Sequence, residues 1–411
     1  MTFEELYYKV LEESIRTGKS PEIKPEYDSY HIDCLLHPEK YPPVIAVGDC
    51  SCKDGEEKCV LECIFDAISK DEDGKIFIDK DKCTGCAACV KNCESNNIIE
   101  NKDVLPTLYS LKNSKGPVYA LIAPAFLGQF SKEVTPGKLR TAFKQLGFDG
   151  MLEVALFADI LTLKEALEFD KNILTDTDFQ LTSCCCPLWI AMIRKVYNEL
   201  MPHVPGSVSP MVAAGRTVKH IHHEATTVFI GPCIAKKAEA REEDIADAID
   251  HVLTFQEMKD LFELTEIDPL ECEESERDHS SKMGRIYART GGVSEAVSRT
   301  LEKINPNREI SIRTEQADGV PDCRKLIKSI KEGERKANFY EGMGCVGGCV
   351  GGPKRIIDKE EGRENVNIYG QEATYETPID NPYVIELLEK IGFNKIEDLL
   401  EDSKIFTRYF D

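Results

Sequence analysis

Cysteines are the residues of this sequence best suited to metal or redox reactions, and there are seventeen of them in 411 residues. One run, KCTGCAACVKNC, carries four of them with gaps of two, two and three residues: Cys83, Cys86, Cys89 and Cys93. Short gaps of this kind let thiolates wrap one face of a small inorganic cube, and bacterial ferredoxins hold a 4Fe–4S cluster with this spacing. The small residues Gly85 and Ala87 leave room for such a body. The run therefore predicts an iron–sulfur cluster.

A second, less regular half precedes this run and carries Cys50, Cys52, Cys59 and Cys63. In two-cluster ferredoxins the last cysteine of each run binds the other cluster. We therefore expect two 4Fe–4S clusters with crossed ligands: Cys83, Cys86, Cys89 and Cys63 around one, and Cys50, Cys52, Cys59 and Cys93 around the other. The proline that usually follows the last cysteine is absent, since Ile64 and Glu94 stand there. Structural zinc is the alternative, although zinc favours two pairs of cysteines around a hairpin.

A further set of cysteines comes from three distant segments, LTSCCCPLWI, FIGPCIAKKAE and EGMGCVGGCVGG, which contribute Cys186, Cys233, Cys345 and Cys349. Four thiolates suit another iron–sulfur cluster or zinc. The glycines of the last segment indicate a bulky group pressed against the backbone, because glycine permits close approach. Phosphate binding is the rival interpretation of a glycine-rich loop, but no GxxxxGK[ST] pattern follows it.

These three segments resemble the signatures of the active-site domain of FeFe hydrogenases, TSCCPxW, MPCxxKxxE and ExMxCxGGCxxGG. The resemblance extends over about residues 115–400. In that family the cofactor is the H-cluster, a 4Fe–4S cube joined through one cysteine to a two-iron unit with CO, cyanide and a bridging azadithiolate. The resemblance implies a hydrogenase that reversibly reduces protons to dihydrogen, with electrons relayed through the two other 4Fe–4S clusters.

The resemblance also implies roles for single residues. It assigns the cube to Cys186, Cys233, Cys345 and Cys349, with Cys349 as the bridge to the two-iron unit. Lys236 stands where the family uses a lysine to contact a cyanide, and an ammonium buried beside an anionic ligand is paired rather than stranded. Further positions that resemble cofactor-binding residues of the family are Pro124, Ala125, Pro232, Tyr287 and Met343.

The triple cysteine departs from the family, which has two adjacent cysteines at this point. Alignment from the CCPxW end makes Cys186 the cluster ligand and Cys185 the thiol that passes protons to the bridging amine, while Cys184 has no assigned role. Alignment from the TS end would shift both roles one residue earlier. A metal-bound cysteine is deprotonated, so a bound thiolate beside an unbound thiol suits the two roles.

Two glutamates stand at the family's proton-relay positions. Glu165 and Glu168, in LTLKEALEF, are three residues apart and share one face of a predicted helix. Ser207, in MPHVPGSVSPM, is the candidate for the serine of the relay. Without the resemblance, such a pair of glutamates would indicate a solvated helix surface.

Other departures keep alternative functions open. Gly231 replaces the methionine of MPC, which we expect to open space beside the bridging ligand, and Tyr287 replaces a phenylalanine. Such changes resemble a divergent subgroup in which sensing is suspected, so one alternative is a dihydrogen sensor with slow turnover. A second is an iron–sulfur assembly protein of the hydrogenase-like family that lacks the two-iron unit. The implied partners are a ferredoxin or similar electron carrier, and maturation proteins.

Predicted strands and helices alternate along the part of the chain that carries these residues, which favours an α/β domain. We expect helices at 136–146, 162–171 and 188–199 and β-like runs at TTVFIGPC and RIYART. The predicted fold is an α/β catalytic domain, two lobes around a buried H-cluster, with a small α+β ferredoxin-like domain. The predicted division is an N-terminal extension over 1–48, the ferredoxin-like domain over 49–101 and the hydrogenase domain over 115–411.

Composition narrows the class of protein further. A formal net charge of −22 disfavours nucleic acids and anionic membranes as partners. The N-terminus MTFEELYYKV lacks the basic region of a secretory signal, and no apolar run approaches the length of a membrane span. We therefore expect a cytoplasmic protein, in which many cysteines indicate metal or redox chemistry rather than disulfides. The sequence does not predict the oligomeric state.

Overall fold

The computed structural model describes residues 1–53, 55–182, 185–275 and 279–410. Its strands are short and run β1 Val44–Ala46, β2 Ile68–Lys70, β3 Ile76–Ile78, β4 Ile98–Glu100, β5 Val118–Ile122, β6 Gly150–Glu153, β7 Gln180–Leu181, β8 Thr226–Gly231, β9 His251–Thr254, β10 Thr314–Asp318 and β11 Phe339–Met343. The helices are α1 Phe3–Thr17, α2 Ser29–Leu36, α3 Lys58–Leu61, α4 Ala88–Asn92, α5 Val104–Asn113, α6 Pro136–Leu146, α7 Ala155–Asn172, α8 Pro187–Val196, α9 Pro210–Ile221, α10 Ala235–Glu239, α11 Phe255–Leu264, α12 Lys282–Arg285, α13 Gly292–Ile304, α14 Val320–Lys331, α15 Lys359–Gln371 and α16 Pro382–Lys390.

Two parallel sheets form the framework of the larger part of the chain. One has the strand order β6-β5-β8-β9 and the other has the order β10-β11-β7. The central strand β5, VYALI, is apolar almost throughout and nearly wholly buried, as expected for a parallel strand covered on both faces. The predicted α/β architecture is confirmed, and the two sheets are the cores of its two lobes.

The cysteine-rich segment has a different, antiparallel architecture. β1 pairs with β4 and β2 pairs with β3, each pair antiparallel. The short helices α3 and α4 carry Cys59 and Cys89. β4 pairs with β1, which lies before residue 49, the predicted start of this domain. The antiparallel segment therefore begins earlier in the chain than predicted.

Helix α7 lies at the centre of the larger part and packs against α9, α12 and α13. It is buried on nearly all sides, which is typical of a helix inside a core. It begins at Ala155, well before the predicted start at 162, and it carries Glu165 and Glu168, the two glutamates predicted for the relay. The predicted helix over 136–146 is confirmed, and the one predicted over 188–199 covers Pro187–Val196.

The prediction of a β-like run at RIYART is wrong. Lys282–Arg285 is α-helical and Ile286–Ala288 continues as a 3-10 turn. A Cβ at Gly284 would come within 2.2 Å of the Ala155 carbonyl oxygen, so the backbone here packs directly against α7. Tertiary packing of this kind overrides local β propensity.

The N-terminal helices are part of the main core. α1 buries Leu6, Val10 and Leu11 in the same hydrophobic cluster as the β5 sheet. The hydroxyls of Tyr7 and Tyr8 both donate to Asp260 of α11, at 3.1 and 3.2 Å. Within the described residues, no helix is both long and apolar enough to cross a bilayer.

Candidate active site and metal centres

The eight cysteines of the small segment form two groups, each recognisable from its electrostatics. Burial raises the pKa of the Cys59 thiol, and the neighbouring thiols of Cys93, Cys50 and Cys52 raise it further. Burial likewise raises the pKa of Cys89 strongly, with added effects from Cys86, Cys83 and Cys63. By these neighbours the groups are Cys50, Cys52, Cys59, Cys93 and Cys63, Cys83, Cys86, Cys89, although Cys59 also lines a small cavity with the second group. That the two groups hold two clusters with crossed ligands stays a prediction.

The second group lies against the larger part of the chain. Gly85 has φ +70°, and a Cβ there would come within 2.9 Å of Ala235 Cα. The loop between Cys83 and Cys86 thus touches the first residue of α10, the helix that follows Cys233. The thiol of Cys86 also contributes to the raised pKa of Cys345. This group is the one adjacent to the third set of cysteines.

The third set converges from three places in the chain. Cys186, Cys233, Cys345 and Cys349 line one cavity together. Burial raises the pKa of Cys233 and the Cys186 thiol adds to this effect, while Lys236 opposes both, so that the pKa is raised to about 11. The amide N–H of Gly344 donates to Cys186 Sγ at 3.2 Å. The donors are thus sulfur atoms held by burial and by the backbone, which suits an iron–sulfur cluster.

Within the described residues, no three His, Cys, Asp or Glu side chains lie close enough to share one metal ion. A 4Fe–4S cube places a separate iron at each thiolate, so its ligands do not have to meet at one point. No two cysteines of the described residues are joined by a disulfide.

The remaining wall of the cavity is apolar and includes four of the five positions implied as cofactor-binding. Pro124, Pro232, Tyr287 and Met343 line it, and Ala125 does not, although it is buried one residue further along. Cys185 is buried in the wall, with its Sγ 4.0 Å from Met343 Sδ. Cys184 lies outside the described residues. The structure therefore does not test the alternative alignment, which would give Cys184 the proton-passing role.

The two consecutive lysines of α10 are both buried, and they point to different surroundings. Lys236 lines the cavity and donates to Glu239 Oε2 at 2.6 Å. Burial alone lowers the pKa of Lys236, but Glu239, Cys233 and Cys349 outweigh burial and raise it. Lys237 instead donates to both carboxylate oxygens of Glu257, at 2.9 and 3.0 Å. Lys236 is therefore an ammonium held at the cavity, whereas Lys237 joins α10 to α11.

The predicted relay residues lie together in the interior rather than on a solvated surface. Glu165 is fully buried and Glu168 is 9% exposed. The hydroxyl of Ser207 is 3.2 Å from Glu168 Oε2 and donates to it. Sequence reasoning missed Lys164, which donates to Glu168 Oε1 at 2.6 Å and to Ser207 Oγ at 3.0 Å.

The space expected beside Gly231 is not open. A Cβ at Gly231 would come within 2.9 Å of the Phe229 ring and 3.0 Å of Ala123 Cβ, and the Phe229 ring itself lines the cavity. The expectation was wrong because a neighbouring side chain fills the volume. Tyr287, the other departure, is buried with its hydroxyl 2.8 Å from Thr162 Oγ1 of α7.

Two acids that the sequence did not single out hold the glycine-rich loop. Glu341 accepts from the amide N–H groups of Gly291 and Ser294, both at 2.8 Å, at the N-terminus of α13. Asp318 Oδ2 accepts from Thr290 Oγ1 at 2.8 Å and from the Gly347 amide at 3.0 Å. These contacts fix the segment that carries Cys345 and Cys349. The ExM pattern marks Glu341, but no sequence signal marks Asp318.

The glycines of this loop face protein atoms. A Cβ at Gly342 would come within 1.9 Å of the Trp189 ring, and one at Gly348, whose φ is +87°, within 2.7 Å of the Thr290 amide nitrogen. These glycines therefore allow the loop to lie close against α8 and against the turn before α13.

Similar proteins of two kinds are found. The chain is 30% identical over 275 residues to iron hydrogenase 1 of Clostridium pasteurianum, which covers 57% of this chain and 48% of that protein. It is 27% identical to an NADP-reducing hydrogenase subunit of Solidesulfovibrio fructosivorans, with 80% and 66% covered. It therefore spans less than two thirds of either relative. It is also 23% identical to protein NAR1 of Arabidopsis thaliana, with 75% and 81% covered.

Solved structures show the same fold. The chain matches an FeFe hydrogenase from a study of H-cluster assembly with a TM-score of 0.62 and 23% identity, covering 75% of this chain and 98% of that one. It matches a variant FeFe hydrogenase of Chlamydomonas reinhardtii with a TM-score of 0.60 and 23% identity, covering 73% and 97%.

One protein family accounts for the sequence motifs, the fold and the convergence of cysteines on a single cavity. Its model, "Iron only hydrogenase large subunit, C-terminal domain", matches residues 116–353. This range includes all four cysteines of the third set, the two glutamates predicted for the relay, and Lys236. The chain belongs to the iron-only, or FeFe, hydrogenase family of iron–sulfur proteins.

Proposed function

We propose that this protein interconverts protons and dihydrogen at an H-cluster, with electrons carried by two further 4Fe–4S clusters. One observation carries the proposal: the four cysteines of the third set, the Cys185 thiol and the Lys236 ammonium all line one apolar cavity. An assembly of thiols alone would suit any iron–sulfur cluster. An ammonium and an additional thiol in the same apolar cavity wall suit a cofactor that carries anionic ligands and exchanges protons.

In this proposal Cys186, Cys233, Cys345 and Cys349, which line the cavity, would hold the cube, and Cys349 would be the ligand shared with the two-iron unit. When bound, the cofactor supplies the redox-active irons at which two electrons and two protons combine. Lys236 would donate hydrogen bonds to an anionic ligand of the cofactor, because Glu239 holds its charge at the cavity. Pro232, Phe229 and Met343 keep water out, which strengthens that interaction.

Protons move through the chain's own side chains. Cys185 exchanges a proton with the cofactor side of the cavity, and Glu165, Ser207 and Glu168 connect it to the outside. Glu168 is the outermost of these residues, since Glu165 and Ser207 are both fully buried. Glu165 and Glu168 lie one turn apart on α7 and therefore share a face of this helix. Each residue passes one proton at a time by general acid–base transfer.

Electrons take a separate route through the small cysteine-rich segment. The group formed by Cys50, Cys52, Cys59 and Cys93 is the outer one, and the group with Cys86 adjoins Cys345. A ferredoxin or similar carrier would thus exchange electrons at the outer group. Maturation proteins would have to supply the two-iron unit.

A second candidate is an iron–sulfur assembly factor that lacks the two-iron unit. The likeness to NAR1 and to a probable cytosolic Fe-S cluster assembly factor of Aedes aegypti favours it. The buried relay of Glu165, Ser207 and Glu168 favours the hydrogenase, because an assembly factor has no use for a proton path. A sensor would keep the same cofactor and differ only in turnover.

Infrared spectroscopy of the anaerobically matured protein tests the proposal. We expect stretching bands of CO and cyanide that respond to dihydrogen, together with dihydrogen production from a reduced electron donor. An iron content that corresponds to three 4Fe–4S clusters per chain, without CO and cyanide bands, would establish the assembly factor instead. CO and cyanide bands in a protein with negligible turnover would establish the sensor. Zinc in place of iron would contradict the hydrogenase, the assembly factor and the sensor alike.

A further inference from the structure

Lys164 is a buried lysine that the proposed relay does not use. It lies on α7, one residue before Glu165, and is 3% exposed. Its ammonium donates to Glu168 Oε1 at 2.6 Å and to Ser207 Oγ at 3.0 Å. Ser207 in turn donates to Glu168 Oε2 at 3.2 Å. The three side chains close a ring at the outer end of the relay.

The capacity of each group to donate or accept fixes the direction of every bond in this ring. An ammonium has three donors and no acceptor, and a carboxylate only accepts. Ser207 has a single hydroxyl proton, and Lys164 already donates to its oxygen. The hydroxyl proton of Ser207 therefore points at Glu168, away from Lys164. Any other direction would leave the Glu168 oxygen without its donor.

This direction matters because a serine passes a proton only along its own O–H bond. For outward transfer, Ser207 accepts a proton from Glu165 while its own proton goes to the Glu168 carboxylate. Glu165 ends as a carboxylate, Ser207 stays neutral and Glu168 ends as a carboxylic acid. Inward transfer starts from a protonated Glu168 that donates to Ser207, and it requires the opposite hydroxyl direction. This state is disfavoured, because it gives up the charge-assisted hydrogen bond from the Lys164 ammonium to the Glu168 carboxylate.

We propose that Lys164 is a positioning residue that sets the Ser207 hydroxyl for outward proton transfer and so favours dihydrogen oxidation over proton reduction. The inference rests on the proposed hydrogenase function. The two protons released by oxidation of dihydrogen leave along this relay, while the two electrons leave through the clusters. Lys164 itself touches neither the cofactor nor the reacting atoms.

The test compares the matured full chain with Lys164→Met and Lys164→Gln. Methionine removes the donor, and glutamine adds an oxygen that can accept the Ser207 proton. The ratio of maximal oxidation to maximal reduction rate is measured by protein-film voltammetry. We expect this ratio to fall about tenfold in both variants, the scale of one ordinary hydrogen-bond preference. Lys164→Arg, which keeps the charge and the donors, should stay near the parent ratio.

A second readout does not depend on the two-iron unit. In the full chain carrying only its 4Fe–4S clusters, the infrared carboxylate band of Glu168 is identified by its loss in Glu168→Gln. We expect Lys164→Met and Lys164→Gln to shift this band. Lys259→Met is the matched control, because Lys259 forms another ion pair between residues four apart on one helix, 3.5 Å from Glu263 of α11. It should move neither the band nor the ratio.

The outcomes separate this inference from the proposed function. Equal loss of both rates in the Lys164 variants, or an unshifted Glu168 band, would overturn the role of Lys164 while leaving the hydrogenase intact. Absence of CO and cyanide bands in the matured parent would instead contradict the proposed function. The band shift would then still decide whether Lys164 orients Ser207.

Discussion

Lys236 Nζ lies 2.6 Å from Glu239 Oε2, and both side chains are almost entirely buried. Lys236 lines the cofactor cavity, whereas Glu239 lines a separate surface cleft beside Arg194 and Lys195. The ion pair therefore forms part of the wall between the cleft and the cavity. An ammonium desolvated in this way keeps its charge only because a carboxylate accompanies it.

Glu239→Gln should disturb the cavity through Lys236. It removes the main opposing charge that raises the pKa of Lys236, so that pKa falls and the ammonium loses its proton at lower pH. We expect the cyanide infrared bands to shift with rising pH at a pH where the parent bands stay fixed. Glu257→Gln removes the same charge from the neighbouring Lys237, which does not line the cavity, and should leave the bands unchanged. Identical bands in Glu239→Gln and the parent at every pH would contradict the role of this pair.

Cys185→Ser should separate proton transfer from cofactor binding. Cys185 lines the cavity but is not one of the four proposed ligands. We expect turnover to fall by about a hundredfold or more, the scale of a lost general acid, while the CO and cyanide bands persist. Cys34→Ala, which alters a buried cysteine of α2, should keep normal turnover. Normal turnover in Cys185→Ser would show that another group carries the proton.

Ser207→Ala should interrupt the relay without removing a charge. Its hydroxyl is buried and donates to Glu168, so alanine leaves a gap that protons cannot cross directly. We expect a loss of about tenfold to a hundredfold in turnover, with unchanged infrared bands and an increased solvent isotope effect. Glu263→Gln, on the exposed surface of α11, is the control and should behave like the parent. Full activity in Ser207→Ala would place the proton path elsewhere.

Gly342→Ala should displace β11, the strand that leads into the cysteine loop. The new Cβ would come within 1.9 Å of the buried Trp189 ring, and such overpacking costs roughly 3 kcal/mol. We expect a lower free energy of unfolding and less iron per chain after reconstitution. Gly362→Ala lies in α15, where the nearest atom to a new Cβ is 3.3 Å away. It should retain the parent iron content, so equal iron loss in both variants would argue against a specific effect.

Glu100→Gln should weaken the contact between the small segment and the cysteine loop in a pH-dependent way. Burial raises the pKa of Glu100, but Lys102 and Lys354 outweigh burial and lower it from 4.5 to about 2. The folded chain thus gives up a proton that the unfolded chain retains below pH 4.5. The stabilisation is fully present above that pH and is lost as the pH falls toward 2, and it amounts to about 3 kcal/mol.

Denaturant unfolding of the cluster-free chain at pH 7 and pH 3 measures this effect. The difference in free energy of unfolding between parent and Glu100→Gln should shrink by about 2 kcal/mol at the lower pH. Glu94→Gln, which breaks the exposed pair with Lys58, should change stability by well under 1 kcal/mol. A pH-independent difference for Glu100→Gln would show that its charge does not matter.

Much of the site could be predicted from the sequence because its signals are local. The spacing around Cys83 and Cys345 encodes thiolates that must reach one body from a short stretch of chain. The three-residue step from Cys233 singled out Lys236 over Lys237, and the structure places only Lys236 at the cavity. The helix carrying Glu165 and Glu168 was also predicted, although its start at Ala155 was not.

The cysteine sets, the α/β alternation and the resemblance to a family could all be predicted from the sequence, since each depends on residue types at short spacing. Three other features became known from the folded chain: Lys164 contacts Ser207, Phe229 fills the space beside Gly231, and RIYART is helical rather than extended. These facts depend on contacts between residues far apart in the chain. Burial and partner choice arise from packing of whole elements, and no local pattern of residues records them.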